Sequence, residues 1–169
     1  LQFLPLPINV RVPDVAGGQP AAGVSEDVTC VTTSVQDSTI TKSDMATVTV
    51  FESLDFSVDL FDYENNVLGA LALADDRPVL NGNLSTTRVI VTNEGNVPMD
   101  FTMSVSSSLS SWQVELVDEE QRTSGDLLFS INAGELATIT IELLVPQNAE
   151  MNTRNTLTLI TSLFDGDVE

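Results

Sequence analysis

From Met45 onward the chain is a succession of short runs in which apolar and polar residues alternate, the period of a strand with one face in a core and the other in water. Leu54-Asp55-Phe56-Ser57-Val58-Asp59-Leu60, Thr87-Arg88-Val89-Ile90-Val91 and Met99-Asp100-Phe101-Thr102-Met103-Ser104-Val105 carry the pattern most clearly. Val48-Thr49-Val50-Phe51 is a shorter instance, and Trp112, Val114 and Leu116 share one face of a further strand. Residues 127–131, 137–145 and 156–163 complete the set. Turn signals separate the runs at Glu64-Asn65-Asn66, Asn81-Gly82-Asn83, Asn93-Glu94-Gly95-Asn96, Ser124-Gly125-Asp126 and Asn132-Ala133-Gly134. Nothing has the period of a long amphipathic helix. The spacing predicts an all-β chain, an antiparallel β-sandwich of about eight to ten strands. Residues 24–44, rich in Thr, Ser and Val, fit one or two edge strands of undefined register.

The N-terminal arm has the same alternation with a different partner set. Leu4, Leu6, Ile8, Val10 and Val12 alternate with Pro5, Pro7, Asn9, Arg11 and Pro13. Alternate residues of a strand point their N–H groups to the same edge, so the odd-numbered edge lacks donors at Pro5, Pro7 and Pro13 while the even-numbered edge keeps all of its own. Such a strand pairs fully on one side only. Ala16-Gly17-Gly18-Gln19-Pro20-Ala21-Ala22-Gly23 follows, a stretch able to carry the arm away from the body. Two readings stand side by side: a donor strand that completes a neighbour's sheet, and a first strand folded back on its own sandwich. The chain divides into an arm and hinge, 1–22, and a sandwich domain, 23–169.

Composition narrows the partners. With 169 residues and 42% hydrophobic content the chain can build one core. Its longest apolar stretch, residues 67–74, is interrupted by Gly69 and far shorter than the ~18–20 residues of a membrane-spanning helix. Net charge is −19, with Lys42 the single lysine among six bases, so neither nucleic acid nor an anionic membrane surface suits it. An acidic, lysine-poor surface fits brine or seawater, and equally ordinary acidic solubility. Cys30 is the only cysteine; it excludes an intrachain disulfide and reads as a small hydrophobe. Serine and threonine number 34 and Asn83-Leu84-Ser85 is a glycosylation sequon, so Asn83 is a candidate glycan site on an extracellular surface. A chain beginning at Leu1 fits either a removed leader or a piece of a longer chain, and the extracellular cues favour the leader.

Val91-Thr92-Asn93-Glu94-Gly95-Asn96-Val97-Pro98-Met99-Asp100-Phe101 resembles the N-x-G-N turn and following strand of prokaryotic surface Ig-like domains, including CARDB-type adhesion domains and those appended to glycosidases. Trp112-Gln113-Val114, Ala133-Gly134-Glu135 before Thr138-Ile139-Thr140-Ile141, and Val145-Pro146-Gln147-Asn148-Ala149 continue the resemblance over roughly residues 86–163. It implies an Ig-like or jelly-roll-type sandwich and no particular job. On physical grounds Gly95 and Gly134 are expected at positive φ in tight connections, Trp112 as a plug between sheets, and Pro146 as a strand terminator. More weakly, Leu54-Asp55-Phe56-Ser57-Val58, a long connection, then Arg88-Val89-Ile90-Val91-Thr92-Asn93-Glu94-Gly95 is similar in layout to the TasA/camelysin family of extracellular fibre proteins. Some of those subunits insert an N-terminal strand into the next, and the resemblance implies the same use for this arm.

The chain contains no histidine, which removes Ser-His-Asp and Cys-His triads, His-ligated zinc and His acid–base catalysis together. Cys30 lacks an activating partner, no phosphate loop or dinucleotide fingerprint is present, and no carboxylate pair stands out, so the expectation is a protein that is not an enzyme and needs no cofactor. Calcium is the one candidate ion. Asp59, Asp62 and Glu64, with Asn65, place oxygen ligands close together beside a turn, while Asp75-Asp76, Asp118-Glu119-Glu120 and the tail Asp165-Gly166-Asp167-Val168-Glu169 are weaker clusters. None has EF-hand spacing, and a solvated acidic loop explains each of them as well.

The leading expectation is a secreted structural subunit of a prokaryotic, archaeal surface filament, pilus-like thread or surface layer. It would be a homopolymer joined through Leu4, Leu6, Ile8, Val10 and Val12. The alternatives are a carbohydrate-binding or adhesive Ig-like module of a larger surface protein, in contact with glycan or cell surface, and a virion capsid or spike protein. A glycan-binding module calls for a strip of exposed aromatics, and the chain has one Trp and one Tyr.

Overall fold

The computed structural model describes Asn9, residues 20–61 and residues 79–164. The described residues are all-β, and their strands are antiparallel throughout. In chain order the strands are β1 (Ser25–Thr33), β2 (Thr41–Thr49), β3 (Phe56–Phe61), β4 (Leu84–Asn93), β5 (Met99–Ser107), β6 (Gln113–Val117), β7 (Arg122–Thr123), β8 (Leu127–Ile131), β9 (Leu136–Leu144) and β10 (Leu157–Leu163). Two sheets pack face to face as a β-sandwich, one of five strands in the order β3-β4-β9-β6-β7 and one of three in the order β10-β5-β8. The alternation read from the sequence sets the layers. Val89 and Val91 on β4, Ile139 and Ile141 on β9, and Leu116 on β6 are buried from one side, and Phe101 and Met103 on β5 and Leu127 on β8 meet them from the other.

Phe101 is the centre of that core. Its ring lies edge-on to Phe56 at 5.3 Å and stacks on Phe129 at 5.5 Å, tying β3, β5 and β8 together. Trp112, expected as the plug between sheets, is only half-buried. It precedes β6 at the crossing from one sheet to the other and lines an open hollow of about 290 Å³ with Val105, Ser107 and Val114. The plug is therefore phenylalanine, contributed from mid-sheet, where no crossing chain leaves a side open.

Segment 24–44, whose register the sequence leaves undefined, forms a hairpin with residues up to 49. β1 and β2 pair from Ser25 opposite Thr49 to Thr33 opposite Thr41 and make a separate two-stranded sheet. None of its residues belongs to the core or packs on it. Its closing turn is held by Asp37, whose carboxylate accepts the Thr39 hydroxyl at 2.7 Å and the Thr39 N–H at 3.0 Å. Those two bonds hold the Asp37 carboxyl below its ordinary pKa. The strand expected at 48–51 belongs to this hairpin and stops at Thr49, leaving the Phe51 ring exposed.

Candidate functional site

Two places gather features that a packed sandwich does not need. The first is the N-x-G-N turn. Asn93 is wholly buried at the end of β4. Its Nδ2 donates to the carbonyls of Val97 (2.8 Å) and Ile131 (2.9 Å), and its Oδ1 accepts the Gly95 N–H at 2.9 Å. One amide thus joins the end of β4 to the end of β8 across the two sheets. Asn96, also buried, faces the other way: its Oδ1 accepts the Ser53 N–H at 2.8 Å, and its Nδ2 donates to Phe51 O (2.9 Å) and Pro20 O (3.1 Å). All the hydrogen-bonding capacity of both amide groups that burial would otherwise leave unpaired is engaged.

Pro20 is where the arm and hinge reach the described body, and Phe51 is where the hairpin ends. Asn96 therefore pins both feet of the hairpin, and the root of the arm, to one corner of the sandwich. Gly95 is required there for a different reason from the one expected. It is not among the glycines at positive φ, which among the described residues are Gly23, Gly82 and Gly134. A Cβ at Gly95 would instead overlap the Ser53 carbonyl oxygen, so the close approach of the 51–55 strap selects glycine.

The second place is the free edge of β10. Among the described residues β10 pairs with β5 alone, so the sheet of three stops there. Its inward side chains are incompletely covered: Leu157 and Leu159 are half-buried and Leu163 is 37% exposed. By contrast β8, at the other edge, buries Leu127 and Ile131. Three buried side-chain polar atoms lack a partner among the described residues, and two of them, Asn155 Nδ2 and Thr161 Oγ1, lie just before or on β10.

Backbone direction at this edge follows from the pairing. Ser108 N–H donates to Thr156 O at 2.9 Å and Phe164 N–H donates to Asp100 O at 2.8 Å, at the two ends of one continuous β5–β10 register. The even-numbered residues of β10 are thus the ones bonded to β5. In an antiparallel ladder the intervening residues turn their N–H and C=O groups the other way. Among the described residues, the groups left without a partner belong to Leu157, Leu159, Thr161 and Leu163, the same residues whose side chains face inward.

Of the calcium candidates, Asp59 lies on β3 opposite Ile90, on the sheet face away from Phe56 and Val58; Asp62, Glu64 and Asn65 lie outside the described residues. Asp75, Asp76 and residues 165–169 lie outside them too. Asp118 is a turn residue whose Oδ1 accepts the N–H groups of Glu120 (2.8 Å) and Gln121 (2.7 Å). Among the described residues no three acidic or cysteine side chains gather as metal ligands would. Asn83 is exposed in the turn before β4. Cys30 is a free, half-buried thiol on β1 opposite Asp44. Leu4, Leu6, Ile8, Val10 and Val12 lie outside the described residues.

The alternation of Leu157, Leu159, Thr161 and Leu163 marks a strand in the sequence, but nothing in it says that one side of that strand lacks a neighbour. The Asn96 anchor was within reach of sequence reasoning as the second asparagine of the N-x-G-N turn, and its partners 43 to 76 residues away were not. A scan against protein-family models finds no match, and a search of curated proteins finds no similar sequence.

Proposed function

We propose that the protein is a structural subunit of an extracellular filament or surface layer, in which residues 4–12 of one copy complete the sandwich of the next. The observation that carries the reading is the sheet of three facing a sheet of five, with inward leucines half-covered along β10. An added strand would bury those leucines together with five alternating aliphatic side chains of the arm. It would also satisfy the free backbone groups of an edge that otherwise invites uncontrolled pairing. The root of the arm sits at a corner of the sandwich held by Asn96, a fixed origin from which a neighbour can be reached.

Removal of residues 1–13 is the direct test. The truncated chain should stay folded and monomeric, while the intact chain forms threads or sheets visible by electron microscopy. Added synthetic peptide of residues 1–13 should bind the truncated subunit and raise its melting temperature. Polymers of undiminished length from the truncated chain would overturn the reading.

A further inference from the structure

Resting on the reading just given, we infer that the arm of a second copy enters antiparallel to β10, so that subunits join head to tail in a polar chain. The inference comes from matching two parities. On β10 the residues whose N–H and C=O groups have no partner among the described residues are 157, 159, 161 and 163, and their side chains face the core. On the arm the residues whose edge keeps every donor are 4, 6, 8, 10 and 12, and these are also the apolar ones.

In an antiparallel ladder, residues that bond to each other lie directly opposite and send their side chains to the same face. Leu4 through Val12 would then bond to β10 and point into the core at once, with the prolines on the outer edge. A parallel ladder behaves otherwise: each bonded residue lies opposite one whose own groups point away. The even-numbered arm residues would face Thr158, Ile160 and Ser162, and their aliphatic side chains would be left on the outer surface. Only the antiparallel arrangement satisfies donors and burial together.

Direction then fixes which copy is served. The arm is rooted at Pro20 on Asn96, at the end of the sandwich where β5 begins and where Phe164 bonds Asp100. An arm laid antiparallel brings Val12 to the opposite end, beside Leu157. Reaching that end of its own β10 would mean running back the length of residues 157–164, about 24 Å. The eight residue steps from Val12 to Pro20 span at most about 29 Å when drawn fully straight, which leaves about 5 Å for reversing direction beside Leu157 and crossing to the β10 edge, and Gly17-Gly18 does nothing to favour such extension. The easy cis path is the parallel one that the parity rejects. In trans the arrangement costs no such stretch. The Asn96 end of one subunit meets the Leu157 end of the next, and this repeats without closing.

Paired cysteines on the outer face test direction and partner together, in a chain carrying Cys30→Ser. Arg11→Cys with Thr158→Cys should oxidise into a covalent ladder of dimers and larger species in assembled samples. Val12→Cys with Ser162→Cys, which face each other only in the parallel ladder, should not. Mixing chains that carry Arg11→Cys alone with chains that carry Thr158→Cys alone should give covalent dimers of one chain of each kind. A ladder from the Ser162 pair in place of the Thr158 pair would establish the parallel direction and overturn the inference. So would a bridge confined to single chains, and so would polymers that form normally with neither pair linked. Failure of the intact chain to polymerise at all would instead remove the reading on which the inference stands.

Discussion

In the five-stranded sheet β4 and β9 have neighbours on both sides, and Val89, Val91 and Ile139 are completely buried. In the three-stranded sheet β10 has the same alternation and, among the described residues, one neighbour, and Leu163 stays 37% exposed. Hydrophobic periodicity therefore reports which way a side chain is meant to face, while coverage depends on the number of strands supplied. Charge differs as well. The outer face of the five-stranded sheet carries Arg122 between Glu115 (2.7 Å) and Glu142 (2.6 Å), whereas on the outer face of the three-stranded sheet the one acid on β5, Asp100, accepts the Ser130 hydroxyl. The five-stranded sheet is finished with ion pairs towards solvent. The short sheet keeps its outer surface nearly free of charge.

The comparison is tested most severely in the core. Phe101→Ala, which empties the space between Phe56 and Phe129, should lower the unfolding free energy by about 3–5 kcal/mol. In a chain lacking residues 1–13, Leu159→Ala should cost about 2 kcal/mol or less, at the low end for a leucine, because that side chain is only half-covered. Urea titrations of the two variants decide the matter, and equal losses would mean that β10 is not an uncovered edge. Asn93→Ala should come next, at roughly 1–3 kcal/mol, since it leaves the Gly95 N–H and the Val97 and Ile131 carbonyls without their partner.

The smallest effect belongs to the surface of the five-stranded sheet. Arg122→Gln should barely move the melting temperature at neutral pH, because the arginine is half in water. What it does remove is pH-dependent. Hydrogen bonds from Arg122, then Gln113, hold the Glu115 carboxyl below its ordinary value, so its contribution is present above the unfolded pKa and disappears as pH falls through the folded one. Melting curves of the two proteins should therefore converge on acidification. A difference that grew at low pH would contradict the assignment.

Most of the sandwich was readable in advance because its strands announce themselves locally. Residues 99–105 and 127–131 could be placed from alternation and turn residues alone, since each inward position simply needed to be apolar. The hairpin was harder: Thr, Ser and Val suit either face of a strand wet on both sides, so no pattern fixes a register. Gly95 shows another limit. Its identity is set by a carbonyl oxygen some forty positions earlier in the chain, a contact that only the folded strap creates. The edge of β10 is illegible for a similar reason, being defined by the lack of a second neighbouring strand among the described residues.

The double grip of Asn96 also has a mechanical consequence. A pull on the arm arrives at Pro20, and the covalent path from there to the sandwich runs through the whole hairpin to Phe51. While the amide holds both carbonyls, force bypasses that detour and passes straight into the corner of the sandwich. Once it lets go, the load falls on the foot of the hairpin, where Gly23 bonds Val50 and Val50 bonds Val24, and the ladder opens one rung at a time. Unravelling residues 20–51 would release about 100 Å of slack per subunit with the sandwich intact. In the filament proposed above, a strained thread of such units would lengthen before it snapped.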